Sequence, residues 1–250
     1  MGFPVEKQTV ICIKWGTRYG ADYVNRLASM VRRHSKRPTR LLCFTEDPSH
    51  IDPWVEIAPL PDFPNIPERV QWTGWRKLSL WQYPLGNLEG DVLFFDLDVV
   101  ITGSIDEFFD YEPGRWAVAE NWSEMGQNIG NTTVYRFPAG RMAHIYDDFN
   151  RDPERFLAKY RNEQKYISGE AEDMVFWPAD WAVSFKHNLM PRWPFNFFMT
   201  PKLPPATKLV AFTGKPDPDE AAIGQWPVKA AWKRLYKHVR PTPWITEHWR

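Results

Sequence analysis

Two aspartates one residue apart, Asp96 and Asp98, close the most hydrophobic run of the chain, Val92-Leu93-Phe94-Phe95. Side chains alternate across an extended strand, so a strand continuing through Leu97 points both carboxylates to one side and the leucine to the other. At about 4 Å and an effective dielectric of about 20, two like charges repel by about 4 kcal/mol. A cation or a shared proton resolves that conflict. Oxygen ligands suit Mg2+ or Mn2+, and the same arithmetic with its sign reversed favours a divalent ion held between the carboxylates and a diphosphate. The alternative is local, because aspartates also cap turns and helix starts, and Gly103-Ser104-Ile105-Asp106 follows closely. The placement directly after a buried run favours metal.

Other polar groups carry weaker signals. Glu170, Glu172 and Asp173 fall in GEAEDMVF, where they either face a ligand or sit at a helix start that favours acids. Glu120, Asn121, Asn128 and Asn131 are of the type that reads sugar hydroxyls, and equally of the type that shapes turns. The six histidines show no zinc-ligand spacing, and no G-x-S-x-G, P-loop or G-x-G-x-x-G occurs.

The elements that must position these residues read as α/β. QTVICIKWG is a buried strand ending at Gly16, and GADYVNRLASMVRRHS places Tyr23, Val24, Leu27, Met30 and Val31 on one helix face. TRLLCFTED is a second strand. Strand, helix and strand in succession imply parallel pairing through a right-handed crossover. WVEIAPL predicts a short strand, TGWRKLSLWQY a helix capped by Thr73, and GRWAVAE and GNTTVYRF two further strands. AGRMAHIYDDF and DPERFLAKY predict helices, SGEAEDMVFW a short helix capped by Ser168, and KLVAF a last strand closing at Gly214. Open α/β sheets bind ligands at the carboxyl ends of their strands, where Asp96 and Asp98 fall.

Lysine plus arginine and aspartate plus glutamate balance at 31 each, which argues against a nucleic-acid partner held by counterion release. No apolar stretch reaches the length of a membrane span, and MGFPVEKQTV lacks the layout of a signal peptide, so a cytoplasmic protein is expected. Cys12 and Cys43 sit in apolar runs as small hydrophobes rather than as a disulfide or metal pair. The 14 tryptophans serve core packing first and ligand stacking second. Residues 1–250 read as one domain, with 226–250 a basic C-terminal helix and tail. There Val228, Trp232, Leu235 and Val239 recur at helical spacing among Lys229, Lys233, Arg234, Lys237 and Arg240. Packing of that stripe on the domain is expected, with peripheral contact at the inner membrane as the alternative.

DVLFFDLDVVITGSIDEFFDY resembles the Asp-x-Asp segment of GT-A-fold glycosyltransferases, in particular glycosyltransferase family 8, which includes glycogenin and bacterial lipopolysaccharide galactosyltransferases. TVICIKWGTRYGADYVNRLASMVRRH is similar to the family's first strand and helix, GWRKLSLWQYPLGNLEG to its Lys-Leu helix, GNTTVYRF to a later strand, and VAFTGKPDPDE to its C-terminal Gly and Lys-Pro element. The resemblance implies a mixed, mostly parallel central sheet flanked by helices. It further implies transfer of a sugar from a nucleotide-sugar donor, a UDP-sugar, to a saccharide or lipid-linked acceptor in surface polysaccharide or lipopolysaccharide synthesis, with Mn2+ or Mg2+ as cofactor. Carried over residue by residue, Asp98 and Asp96 hold the metal, and Asp96 also touches the donor ribose. Lys77 and Lys215 contact the donor, Trp15 and Gly16 belong to the loop around base and ribose, and Glu172 or Asp173 stands near the transferred sugar. Glu120, Asn121 and Asn131 remain candidates for acceptor or sugar hydroxyls. The sequence departs from the family where a histidine usually completes the metal site: Ala211 and Thr213 stand there, and Lys215-Pro216 follows Gly214 at once. That departure leaves open the third ligand and the stereochemical course. It also keeps two alternatives: a non-catalytic glycan- or nucleotide-binding protein descended from a transferase, and a sugar-phosphate nucleotidyltransferase, for which KWGTRYGADY is a poor loop.

Overall fold

The structure is a computed structural model that describes residues 7–250, so the start of the chain, read above for leader signals, lies outside the described residues. Strand β1 (Gln8–Lys14) is buried along its whole length. Helix α1 (Ala21–His34) follows and buries the predicted face, Tyr23, Val24, Leu27, Met30 and Val31, together with Ala28. Its last turn carries Arg32 and Arg33, which complement the helix dipole. Strands β2 (Thr39–Thr45) and β3 (Glu56–Ala58) then continue outward in parallel from β1.

On the other side of β1 lies β4 (Asp91–Phe95), also parallel to it. A short strand β5 (Val99–Ile101) and helix α2 (Asp106–Asp110) precede β6 (Trp116–Glu120) and β7 (Gly130–Pro138). Helices α3 (His144–Arg151), α4 (Pro153–Lys159) and α5 (Glu163–Glu170) lead to β8 (Met174–Phe176). The large sheet has seven strands in the order β3-β2-β1-β4-β7-β6-β8, with β7 antiparallel to both its neighbours. Strands β9 (Ala182–Ser184) and β10 (Leu209–Ala211) join β5 in a second, three-stranded sheet, β5-β10-β9.

Alternation sorts the core into two layers. Val10, Cys12, Leu93 and Phe95 face α1 and the small sheet, while Ile11, Ile13, Val92 and Phe94 face a layer containing Trp75, Trp81 and Trp116. Cys12 and Cys43 are buried free thiols opposite one another in register.

Three local predictions are corrected. The segment Gly74–Trp81 is a 3-10 helix, and Thr73 donates its hydroxyl to Val70 O instead of capping. Ser168 lies inside the end of α5, where its hydroxyl accepts from Gly130 N–H at 2.9 Å; the helix is capped at Asn162, and Met174–Phe176 is strand. The basic C-terminal helix does not form. Pro227, Pro241 and Pro243 interrupt the segment, leaving one 3-10 turn (Ala231–Leu235) and a short helix at Pro243–His248. Of the expected apolar stripe only Val239 is buried, and Trp232 and Leu235 face solvent.

Candidate active site

The Asp96–Asp98 segment is a crossing between sheets. Strand β4 stops at Phe95 and β5 starts at Val99, so three residues carry the chain from the large sheet to the small one. Asp96 still belongs to the large sheet, its N–H donating to Thr133 O of β7 at 2.9 Å. Asp98 already belongs to the small one, its carbonyl accepting from Phe212 N–H at 3.1 Å, and Leu97 between them is buried. Both aspartates line a cleft of about 370 Å3 at the carboxyl ends of β1 and β4, bordered by the β1 loop, the 3-10 segment and the turn after β10.

One cation serves several carboxylates here. Lys77, buried, reaches from the 3-10 segment to Asp96 Oδ2 at 2.6 Å and to Thr132 O at 3.2 Å. Burial works against its charge, but Asp96 and Glu163 outweigh that and raise its pKa. Burial raises the pKa of the Asp96 carboxyl as well, against the pull of Lys77. Asp98 is pushed up to about 7, first by burial and then by the charge of Asp96, despite a 2.9 Å hydrogen bond donated by the Tyr19 hydroxyl. Burial and Asp98 hold Tyr19 far above the usual phenol range, so it remains a donor. Thr213, also in the cleft wall, has its hydroxyl buried without a hydrogen-bond partner.

Glu163 and Gln164 come from the first turn of α5. Glu163 accepts from the Thr132 hydroxyl at 3.3 Å, and Gly74 packs so closely on it that a Cβ there would lie 2.5 Å from its carboxylate. Gln164 lines the cleft with its Oε1 held by Asn121 Nδ2 at 2.9 Å, which leaves its NH2 to donate elsewhere. Neither residue stands out in the sequence, because an acid at a helix start is ordinary. The only local sign is Asn162, whose side chain accepts from Lys165 N–H and fixes where that turn begins. Tyr19 and Arg18 are equally silent, their relation to Asp98 depending on a contact 79 residues apart.

The remaining predicted residues divide. Trp15 lines the cleft; Gly16 turns the chain beside it with a φ of 61° and donates its N–H to Glu46 at 2.6 Å. Asn121 supports Gln164 as above. Asn131 and Glu120 are used locally: Asn131 accepts from Thr133 N–H, and Glu120 from Gly126 N–H. Lys215 turns away from the cleft to pair with Asp217 at 2.7 Å and with Glu220, in the capping box of helix α6 (Pro218–Ala222). Arg18 lies on the cleft wall instead, its guanidinium 3.6 Å from Asp217.

Glu172 and Asp173 are placed at the wrong end of the sheet for the role expected of them. They precede β8, whose Met174 pairs with Trp116 at the start of β6, whereas the cleft adjoins the carboxyl ends of the parallel strands. Asp173 is exposed and pairs with Arg141, which also reaches Gly114 O beside the same amino edge. The prediction fails because the acids occupy a turn into a strand and not a helix facing the site.

No protein-family model and no curated protein matches the sequence. Solved structures do. The galactosyltransferase LgtC in complex with donor and acceptor sugar analogues superposes with a TM-score of 0.61 at 12% identity, covering 84% of this chain and 89% of LgtC. An LgtC active-site mutant with glutamate in place of glutamine gives 0.60 at 13%, covering 91% of this chain and 99% of the other. Mouse xyloside xylosyltransferase 1 gives 0.53 at 13%, covering 84% and 98%. The fold is that of the GT-A glycosyltransferases, as the Asp-x-Asp resemblance implies.

Among the described residues no three histidine, cysteine, aspartate or glutamate side chains group as a metal centre. Two carboxylates in mutual repulsion and an orphaned Thr213 hydroxyl nevertheless line the same cleft, oxygen donors of the kind that suits Mg2+ or Mn2+ completed by a ligand's phosphates. Ala211, where the family histidine is expected, is buried within β10.

Proposed function

We propose that this chain is a glycosyltransferase that moves a sugar from a nucleotide diphosphate donor, a UDP-sugar, to a saccharide or lipid-linked acceptor. The observation that carries the reading is the Lys77–Asp96–Asp98 cluster, opening on a cleft at the sheet junction of a GT-A fold. Asp96 and Asp98 would hold Mn2+ or Mg2+, which when bound neutralises charge on the leaving diphosphate. Trp15 offers an aromatic face to the base. Arg18 and Lys77 supply positive charge where the glycosidic bond breaks and the diphosphate gains its charge; Arg18 takes the part that the resemblance gives to Lys215. Gln164, oriented by Asn121, donates its NH2 to the sugar or to the developing charge, and Glu163 keeps Lys77 protonated. Water is excluded on one side by Phe212 and Leu97, which line the same cleft.

The test is thermal unfolding with UDP, with and without Mn2+, followed by turnover with a panel of UDP-sugars. Ligand at about 100 times its Kd stabilises by about 2.7 kcal/mol, a rise in Tm of roughly 5–10 °C for a domain of this size. A rise that needs Mn2+ and is lost in Asp98→Asn supports the reading. The absence of any rise with UDP, GDP, CMP or dTDP sinks it.

A further inference from the structure

The chain has no net charge, yet the charge is unevenly spread. Two stretches, 181–216 and 221–246, contain ten lysines and arginines and no aspartate or glutamate. Lys208 and Lys215 are paired with acids from outside these stretches; the other eight make no ion pair among the described residues. The structure brings the two stretches together as one surface. Trp193 Nε1 donates to Leu235 O at 3.2 Å, and buried Asn196 donates through Nδ2 to Tyr236 O at 2.8 Å and His238 O at 2.9 Å. The Phe197 ring stacks on His238 with centroids 4.6 Å apart.

Large apolar side chains stand out of this surface. Phe198 is 76% exposed, Leu235 74%, Trp193 65% and Trp232 62%. Along the chain they are interleaved with Arg192, Lys229, Lys233 and Arg234, which flank Trp193, Trp232 and Leu235. Burial and the neighbouring charges of Lys186 and Lys233 hold the Lys237 ammonium below its usual range, so positive charge is crowded here without a counter-ion.

We propose that this surface docks the protein on an anionic lipid bilayer. Tryptophan, phenylalanine and leucine would enter the headgroup boundary while lysine and arginine reach lipid phosphates around them. The interleaving decides against a protein partner, because the buried centres of protein interfaces are depleted in lysine. Aliphatic Leu235 and Met199 among the rings decide against a single-stranded nucleic acid, which uses aromatic stacking platforms. The inference rests on the surface alone and stands apart from the catalytic reading. It has one bearing on it: Phe185, next to Lys186, stacks at 4.6 Å on Phe212 of the cleft wall, so docking would set the cleft close to the bilayer.

Sedimentation of the full chain with phosphatidylglycerol–phosphatidylcholine vesicles and with phosphatidylcholine alone tests it. Wild type is expected to bind the anionic vesicles and not the neutral ones. At about fivefold per basic side chain, the variant Lys186→Glu/Lys233→Glu/Arg234→Glu/Lys237→Glu should bind at least ~100-fold more weakly. Trp193→Ser/Phe198→Ser/Trp232→Ser/Leu235→Ser should keep only a residual attraction that high salt removes. Should a variant melt early, tryptophan emission keeps the test open: a blue shift on anionic vesicles in wild type, diminished in Trp193→Phe/Trp232→Phe, reads the same contact. Binding that ignores lipid charge, absence of binding to anionic vesicles, variants that bind like wild type, or an oligonucleotide that displaces the vesicles would each overturn the proposal.

Discussion

Strand β4 has a buried charge cluster at each end, and the two are built on opposite terms. At its amino end, fully buried Arg136 of β7 donates to the carbonyls of Phe108, Phe109, Tyr111, Glu112 and Arg115 and lies 3.4 Å from Asp91. Asp91 in turn accepts from Gly114 N–H at 2.9 Å. At the carboxyl end a single lysine answers Asp96, with Glu163 and Asp98 close enough to raise its pKa. The first cluster is closed on itself and stitches the loop before β6 to the sheet. The second carries more carboxylate than cation and opens on a cleft. Unresolved charge of that kind costs stability, and in the function proposed above it marks the end of the strand that would meet a ligand.

Removing each cation should break the comparison most sharply. Arg136→Met is expected to cost about 3–5 kcal/mol, a fall in Tm of roughly 6–20 °C, because it leaves several buried carbonyls without their donor and partly buried Asp91 without its cation. UDP should still raise the Tm of whatever remains folded. Lys77→Met is expected to cost somewhat less, about 2–4 kcal/mol, and to abolish the UDP response. Adding Asp96→Asn to it should recover at least about 1 kcal/mol, a coupling measurable by a double-mutant cycle.

Asp98→Asn sharpens the contrast with an effect of opposite sign. The folded carboxyl titrates at about 7 and the unfolded one at 3.8. Between those values the folded chain holds a proton that the unfolded chain has released, so stability is greatest below the lower value and falls as pH rises through the upper one. The asparagine should remove that slope and leave the variant more stable than wild type by about 2 kcal/mol near pH ~8, as read by denaturant titration at several pH values, while nucleotide binding is lost. Smallest of all is Glu172→Ala, at the amino edge and without a side-chain partner among the described residues. It should change stability by less than about 0.5 kcal/mol and leave turnover unaltered.

Legibility in the sequence followed the range of the interaction. The βαβ start and the strand before Asp96 are written in local periodicity, and their burial follows from it. The aspartate pair could be found because its oddity, charge after a buried run, is local too. Its surroundings were not legible. Tyr19, Glu163 and Gln164 reach the cluster from other segments, and no spacing along the chain encodes that meeting. Glu172 and Asp173 misled because three residues of strand, Met174–Phe176, are too short to announce themselves against an acidic run that reads as helix. At the C-terminus, helical spacing of Trp232 and Leu235 suggested a packed stripe. Prolines on both sides overrode it and left those side chains in solvent.

The crossing at Leu97 has a consequence for anyone who would transplant the site. Asp96 takes its position from one sheet and Asp98 from another, so the spacing of their carboxylates reports how the two sheets lean together. Contacts far from the cleft help to set that lean, such as the 2.9 Å hydrogen bond that Ile105 N–H, just past β5, donates to His34 O at the end of α1. A loop carrying the two aspartates alone, moved to another scaffold, would bring the letters without the grammar.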